Sequence, residues 1–253
     1  MEKPIVLITG ATAGIGAATA RLLASLQYPL IICGRRKERL AQLENELKDK
    51  TNIFTLNFDV RHRDEVVKAI DSIPLEWKNI GVLINNAGNA HGLDPIQTGN
   101  IDDWDAMMDG NVKGMLYVSK PIINMMIANN QGGHIINIGS IAGKEVYANG
   151  NVYCASKFAV DALTKGMRLD LNPYGIKVTG IHPGMVETEF SVVRFKGDET
   201  KAAQVYKGFQ PLKAEDIAET IRYVMEAPTH IQLADITILP TAQASATTVK
   251  RTI

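Results

Sequence analysis

Thr9-Gly10-Ala11-Thr12-Ala13-Gly14-Ile15-Gly16 stands between an apolar run at residues 4–9 and an Ala/Leu-rich stretch at 17–27. The run has strand length and the stretch is rich in helix formers, so the segment reads as strand, glycine-rich turn, helix. Glycines let a backbone approach a pyrophosphate closely. The helix that follows offers free N–H groups and the positive end of its dipole. The spacing is Gly-x-x-x-Gly-x-Gly rather than the more familiar Gly-x-Gly-x-x-Gly, and a glycine turn can serve packing alone. The flanking strand and helix favour a nucleotide cradle built on Gly10, Gly14 and Gly16.

The next apolar run, residues 30–33, is a second buried strand, and a helix is expected from about Lys37 with Leu40, Leu43 and Leu47 on one face. Enzymes that use NAD normally carry a carboxylate at this strand end, on the ribose hydroxyl. Here the position holds Gly34, followed by Arg35 and Arg36. Two cations at a helix N-terminus oppose the dipole unless an anion joins them, and guanidinium suits a phosphate. The cofactor read from these residues is NADP(H).

The pattern continues through strands at 53–60, 82–84, 134–138, 177–181 and 234–239. Asp64 is expected to cap the helix after the third strand. Residues 101–130 read as one long apolar helical region, in which the buried amide of Asn111 needs a partner. A helix to about Asn172 is stopped by Pro173 and Gly175, and another spans 214–225. Residues 185–210 are polar and irregular and read as a substrate lid loop. The tail, 240–253, is expected to be mobile or docked on a neighbour. With no linker or internal repeat, the expectation is a single domain over 1–253, of α/β class. It is a doubly wound parallel sheet of seven strands with helices on both faces. Ligands of such a sheet sit at the carboxyl ends of the strands, where Gly10, Arg35, Asp59, Asn86, Ser140 and Pro183 all fall.

Tyr153 and Lys157 are four residues apart, on one face of a helix. An ammonium beside a phenol favours the phenolate and lowers its pKa from about 10. The pair is then fit for general acid–base work. In isolation the same spacing more often marks a solvated helix face.

Composition bounds the alternatives. The 253 residues carry 27 basic and 27 acidic side chains, so no positive field points to nucleic acid or an anionic membrane. Cys33 and Cys154 form no disulfide framework, which suits a reducing compartment. No stretch has signal-peptide or membrane-spanning character, and the expected location is cytoplasmic. The five histidines, at 62, 91, 134, 182 and 230, do not cluster, and no metal is expected.

Taken together, Thr9-Gly10-x-x-x-Gly14-Ile15-Gly16, Asn85-Asn86-Ala87-Gly88, Asn111, Ser140, Tyr153-x-x-x-Lys157 and Pro183-Gly184 resemble the short-chain dehydrogenase/reductase family along essentially the whole chain. Residues 34–40, 147–153 and 188–198 further resemble its NADP-dependent 3-hydroxy acid (serine 3-) dehydrogenase group. The resemblance implies a Rossmann fold and a catalytic set of Asn111, Ser140, Tyr153 and Lys157. Tyr153 would exchange the proton of the substrate oxygen, Ser140 would hold that oxygen, and Asn111 would position a water linking Lys157 to solvent. It places the cofactor on Gly10, Thr12, Gly14, Ile15, Gly16, Arg35, Arg36, Asp59, Val60, Asn86, Ala87, Gly88, Tyr153, Lys157, Pro183, Gly184, Val186 and Thr188. It also implies a homotetramer built through the helices near 101–130 and 152–172. Ser140, Tyr147, Tyr153 and Arg194 are the candidate substrate contacts. Arg194 could equally pair with Glu187, Glu189 or Asp198 on the lid. The implied activity is hydride transfer between NADP and a small 3-hydroxy acid such as serine, allo-threonine or 3-hydroxypropionate. A carbonyl reductase for larger uncharged ketones and a non-catalytic cofactor-binding protein are the alternatives.

Overall fold

Strands and helices alternate as β1 (Ile5–Ile8), α1 (Gly14–Ser25), β2 (Leu30–Gly34), α2 (Lys37–Leu47), β3 (Ile53–Asn57), α3 (Arg63–Asp71) and β4 (Ile80–Asn85). After α4 (Ile101–Met108) and α5 (Gly114–Asn129) come β5 (Gly133–Ile138), α6 (Asn151–Leu171) and β6 (Ile176–Pro183). The chain then forms β7 (Val186–Glu187), α7 (Phe190–Arg194), α8 (Glu199–Val205), β8 (Leu212–Lys213), α9 (Ala214–Met225) and β9 (Asp235–Ile238). This computed structural model describes residues 3–252; residues 1, 2 and 253, the ends of the expected domain and tail, lie outside the described residues.

Seven strands form one sheet in the order β3-β2-β1-β4-β5-β6-β9, every neighbouring pair parallel. Both faces are buried, so the strands are continuous apolar runs rather than alternating ones. Val6, Ile8, Leu30, Ile32 and Ile84 point to one face, against Leu23 of α1 and Ile217 and Ile221 of α9. Leu7, Ile31, Leu83, Ile135 and Val178 point to the other, against Val66 and Ile70 of α3 and Val118 and Ile122 of α5. The strand order reverses at β1, and the crevice between the carboxyl ends of β1 and β4 is where such sheets bind ligands.

Four local expectations need correction. Asp64 does not cap α3: His62 occupies the cap, and Asp64 lies in the first turn, where its charge suits the helix dipole. The long helix of 101–130 is interrupted by a π turn, Asp109–Lys113, which contains Asn111. The lid is not irregular. It holds α7 and α8, with Asp198 accepting from Lys201 N at 2.9 Å to cap the second, and β7 pairs in parallel with β8. The tail folds back on its own chain. Gln243 bridges to Val249 and accepts from Met185 N at 2.9 Å, while Ala246 N donates to Glu145 at 2.8 Å. Among the described residues no helix is long and apolar enough to cross a membrane.

Candidate active site

The turn after β1 needs its glycines for space as well as for conformation. Gly10 and Gly14 have φ of +65° and +49°, a region that L side chains rarely adopt. A Cβ on Gly10 would lie 2.9 Å from the Ala87 Cα, and one on Gly16 would run into the Gly10 carbonyl and come within 2.5 Å of Asn86 Nδ2. Ala13 caps α1 without any side-chain bond, so the first-turn N–H groups stay available. Thr9 and Asn86 hold the turn to β4. The Thr9 hydroxyl accepts from the N–H groups of Asn86 and Ala87, both at 3.0 Å, and Asn86 Nδ2 donates to the carbonyls of Thr9 and Gly10. The Asn86 amide thus braces the cradle.

A cavity of about 670 Å³ opens above these strand ends. That lies within the range of ligand sites, roughly 300–1,000 Å³. Every residue named above as a cofactor, substrate or catalytic contact lines it, except Gly16 beneath the turn and Asn111 behind the wall. Arg35 and Arg36 diverge. Arg35 lies 3.6 Å from Asp59, whose carboxylate Arg61 also holds, at 2.7 Å. Arg36 reaches the Thr12 hydroxyl at 3.2 Å and Glu189 of the lid at 3.2 Å. Arg39, one turn along α2, binds the same Glu189 carboxylate at 2.7 and 2.8 Å. Arg39 does not stand out in the sequence and Glu189 does so only as a possible partner of Arg194, although the Arg36/Arg39 spacing puts both arginines on one helix face.

α6 presents Tyr153 and Lys157 one turn apart, both buried. Burial, with no compensating partner of similar strength, pushes the Lys157 ammonium down to about 8. Lys157 Nζ donates to the Ile138 carbonyl at 3.0 Å. Burial raises the Tyr153 phenol, and the main opposing influences are the Arg194 guanidinium and then the Ser140 hydroxyl. Arg194 is thus a cation that acts on Tyr153 from the lid, in addition to Lys157 one turn along α6. Ser140 lies just after β5 and accepts from Ala142 N at 3.1 Å, which fixes its turn. The π turn aims Asn111 at α6. Its amide donates to Asn89 O at 2.9 Å and Ser156 Oγ at 3.0 Å, and its carbonyl accepts from Asn89 N at 2.8 Å. Both amide hydrogens are engaged, so this side chain holds the 88–89 segment against the catalytic helix.

Arg194 leaves the lid and enters the site. Its guanidinium carbon lies 4.8 Å from the centroid of the Tyr153 ring and 5.3 Å from that of Phe190, and Nη2 donates to the Tyr147 hydroxyl at 2.8 Å. The Nε is buried without a hydrogen-bond partner. Of the three lid carboxylates named for it, Glu189 is on Arg36 and Arg39, Asp198 is on Lys201, and Glu187, in β7, forms no ion pair with it among the described residues. Lys196, the other lid cation, pairs with Asp103 of α4 at 2.9 Å, and Phe190 and Phe195 line the cavity.

Cys154 is a buried packing residue, and His91 lies outside the main cavity. His182 is fully buried behind Gly139, and its two ring nitrogens have no partner. It comes within 4.8 Å of carboxylate oxygens of Asp161 and Asp235, a group of possible ligands the scattered histidines did not suggest. The Lys144 ammonium bridges those two carboxylates.

A family model described as short chain dehydrogenase matches residues 4–199. The chain belongs to the short-chain dehydrogenase family. Among curated relatives, an NADP-dependent 3-hydroxy acid dehydrogenase of Salmonella typhi is 43% identical over 243 residues, 96% of this chain and 97% of the relative. Sulfoacetaldehyde reductase 2 of Chromohalobacter salexigens is 41% identical over 240 residues, 95% of each chain. The closed form of serine dehydrogenase complexed with NADP+ superposes with a TM-score of 0.91 at 42% identity, over 98% of this chain and 99% of that one. This short-chain dehydrogenase is thus an oxidoreductase whose cavity brings the family's Ser, Tyr and Lys motif residues together at the carboxyl ends of the strands.

Proposed function

We propose that the protein is an NADP-dependent dehydrogenase of small 3-hydroxy acids, acting on the serine, allo-threonine or 3-hydroxypropionate type and on the corresponding 3-oxo acids. NADP(H) fits the residues present. The cradle has no room for a Cβ at Gly10 or Gly16, and a Cβ on Gly34 would lie 2.6 Å from Thr12 Cγ2. No carboxylate stands at position 34 to meet a ribose hydroxyl, and Arg35 and Arg36 follow it and line the cavity at that strand end. Gly10, Thr12, Gly14, Ile15 and Gly16 would hold the pyrophosphate, Asp59 and Val60 would flank the adenine, and Ala87 and Gly88 the ribose. Pro183, Gly184, Val186 and Thr188 would hold the nicotinamide. When bound, the cofactor supplies the acceptor or donor of hydride.

Tyr153 takes the hydroxyl proton in oxidation and returns it to the carbonyl oxygen in reduction. Burial favours the phenol form, which suits the acid role in reduction, whereas the oxidation direction requires the phenolate. Ser140 donates to the reacting oxygen, and Lys157 holds the nicotinamide ribose. The observation that carries the substrate class is Arg194. A half-buried guanidinium with an unpartnered Nε beside the catalytic phenol calls for an anion, and a carboxylate satisfies it by two parallel bonds. The activities for which the two relatives are named, on a 3-hydroxy acid and on sulfoacetaldehyde, agree with a small anionic substrate. A panel of 3-hydroxy acids, 3-oxo acids and uncharged ketones, assayed with NADP+ and NADPH, tests the reading. Turnover confined to uncharged ketones would replace it with the carbonyl reductase.

A homotetramer through α4, α5 and α6 belongs to the same proposal, supported by Leu116, Phe158 and Leu169 standing exposed on α5 and α6. So does a cytoplasmic location, supported by two free, buried cysteines.

A further inference from the structure

Arg36 and Arg39 share one carboxylate, and it comes from the lid. Glu189 accepts from Arg36 Nη1 at 3.2 Å and from Arg39 Nη1 at 2.7 and 2.8 Å. Among the described residues it is the only acid paired with either arginine, since Arg35 turns away to Asp59. The Arg36 guanidinium lies on Thr12 beside Gly34, where the proposed cofactor would carry its 2′-phosphate, and Arg39 adjoins it through the shared Glu189 carboxylate. On that reading, on which the inference rests, a phosphate dianion meets a carboxylate already seated on its cations. A ribose hydroxyl meets no such conflict, because it has no charge to place there. Glu189 also sits between Thr188, which packs on Gly14, and Phe190, whose ring lies 5.7 Å from that of Tyr153.

We propose that Glu189 is a specificity-determining residue that competes with the 2′-phosphate for Arg36 and Arg39, and that Arg39 is a third cation of the phosphate site. The carboxylate keeps the arginines paired when the site is empty. It weakens NADP(H) selectively and so favours its release after turnover. Exposed ion pairs of this kind shift equilibria modestly, and the expected effect is correspondingly modest.

The test is binding of adenosine 2′,5′-bisphosphate and of 5′-AMP, by calorimetry, to wild type, Glu189→Gln and Arg39→Gln. These fragments carry no nicotinamide, which limits any contribution from the catalytic end. Competition predicts that Glu189→Gln tightens the bisphosphate by about threefold to tenfold and leaves 5′-AMP unchanged. Arg39→Gln should weaken the bisphosphate alone. NADPH and NADH should follow the same pattern. Equal weakening of both fragments in Glu189→Gln would make Glu189 a plain lid fastener and overturn the proposal, as would no change in either. A wild type that binds 5′-AMP as tightly as the bisphosphate would instead remove the NADP reading, whatever Glu189 does.

Discussion

Replacing Lys157 by methionine should stabilise the protein while removing its activity. The ammonium is buried, and its pKa falls from an ordinary 10.5 to about 8. Each unit corresponds to about 1.4 kcal/mol, so holding the charge in the folded site costs on the order of 3 kcal/mol below pH 8. Methionine keeps the length and packing of the stem. It leaves the Ile138 carbonyl without its donor, which costs about 1 kcal/mol. The net gain at pH 7 is about 2 kcal/mol, or about 4–8 °C in Tm for a chain of this size. Both the size and, at high pH, the sign of the difference depend on pH. Between about pH 8 and 10.5 the unfolded lysine holds its proton and the folded one has lost it. Wild-type stability therefore rises by about 3 kcal/mol through that window, and the variant's advantage passes through zero to a deficit of about 1 kcal/mol, the lost Ile138 bond. Thermal unfolding of both proteins without cofactor at pH 7 and pH 10 measures this directly. A variant less stable than wild type at pH 7 would refute the reasoning, and so would an advantage undiminished at pH 10.

Tyr153→Phe should retain NADPH binding by fluorescence and lose about a hundredfold to ten-thousandfold in kcat, because only the phenol proton is removed. Gly16→Ala should reduce stability by roughly 1–3 kcal/mol and weaken cofactor binding, since its Cβ meets the fixed Gly10 carbonyl as well as the hydrogen-bonded Asn86 amide; chemical denaturation and a cofactor titration read the two effects. Gly34→Asp, combined with neutral residues at 35 and 36, should reverse the ratio of kcat/KM between NADP and NAD, because a carboxylate then faces the 2′ position.

The sheet was legible because a buried parallel strand is a solid apolar run, and Leu30 to Cys33 or Val82 to Ile84 has no other economical reading. The glycine turn and the Tyr153/Lys157 pair were legible because their spacing is local. The lid was not. Its helices α7 and α8 are five and seven residues long, too short for periodicity to register, and the first has no side-chain cap. The π turn at Asn111 contains Gly110, but one glycine in an apolar helical run does not specify a π turn, and the contacts of Asn111 with Asn89 and Ser156 are tertiary. Arg39 and Glu189 are 150 residues apart, and only the folded lid brings them together. The influence of Arg194 on Tyr153 is likewise a tertiary fact, invisible at a spacing of 41 residues, 194 minus 153.

The central claim is an anion seat at Arg194 beside the catalytic phenol. It is tested most directly by kcat/KM for a 3-hydroxy acid and for its methyl ester, in wild type and in Arg194→Ala. The account predicts that wild type prefers the acid by roughly tenfold or more, the worth of a charge-assisted bond pair. It predicts that the variant loses this preference through KM while its activity on the ester is almost unchanged. Equal losses on acid and ester would contradict it and would leave Arg194 as a brace between the lid and Tyr147.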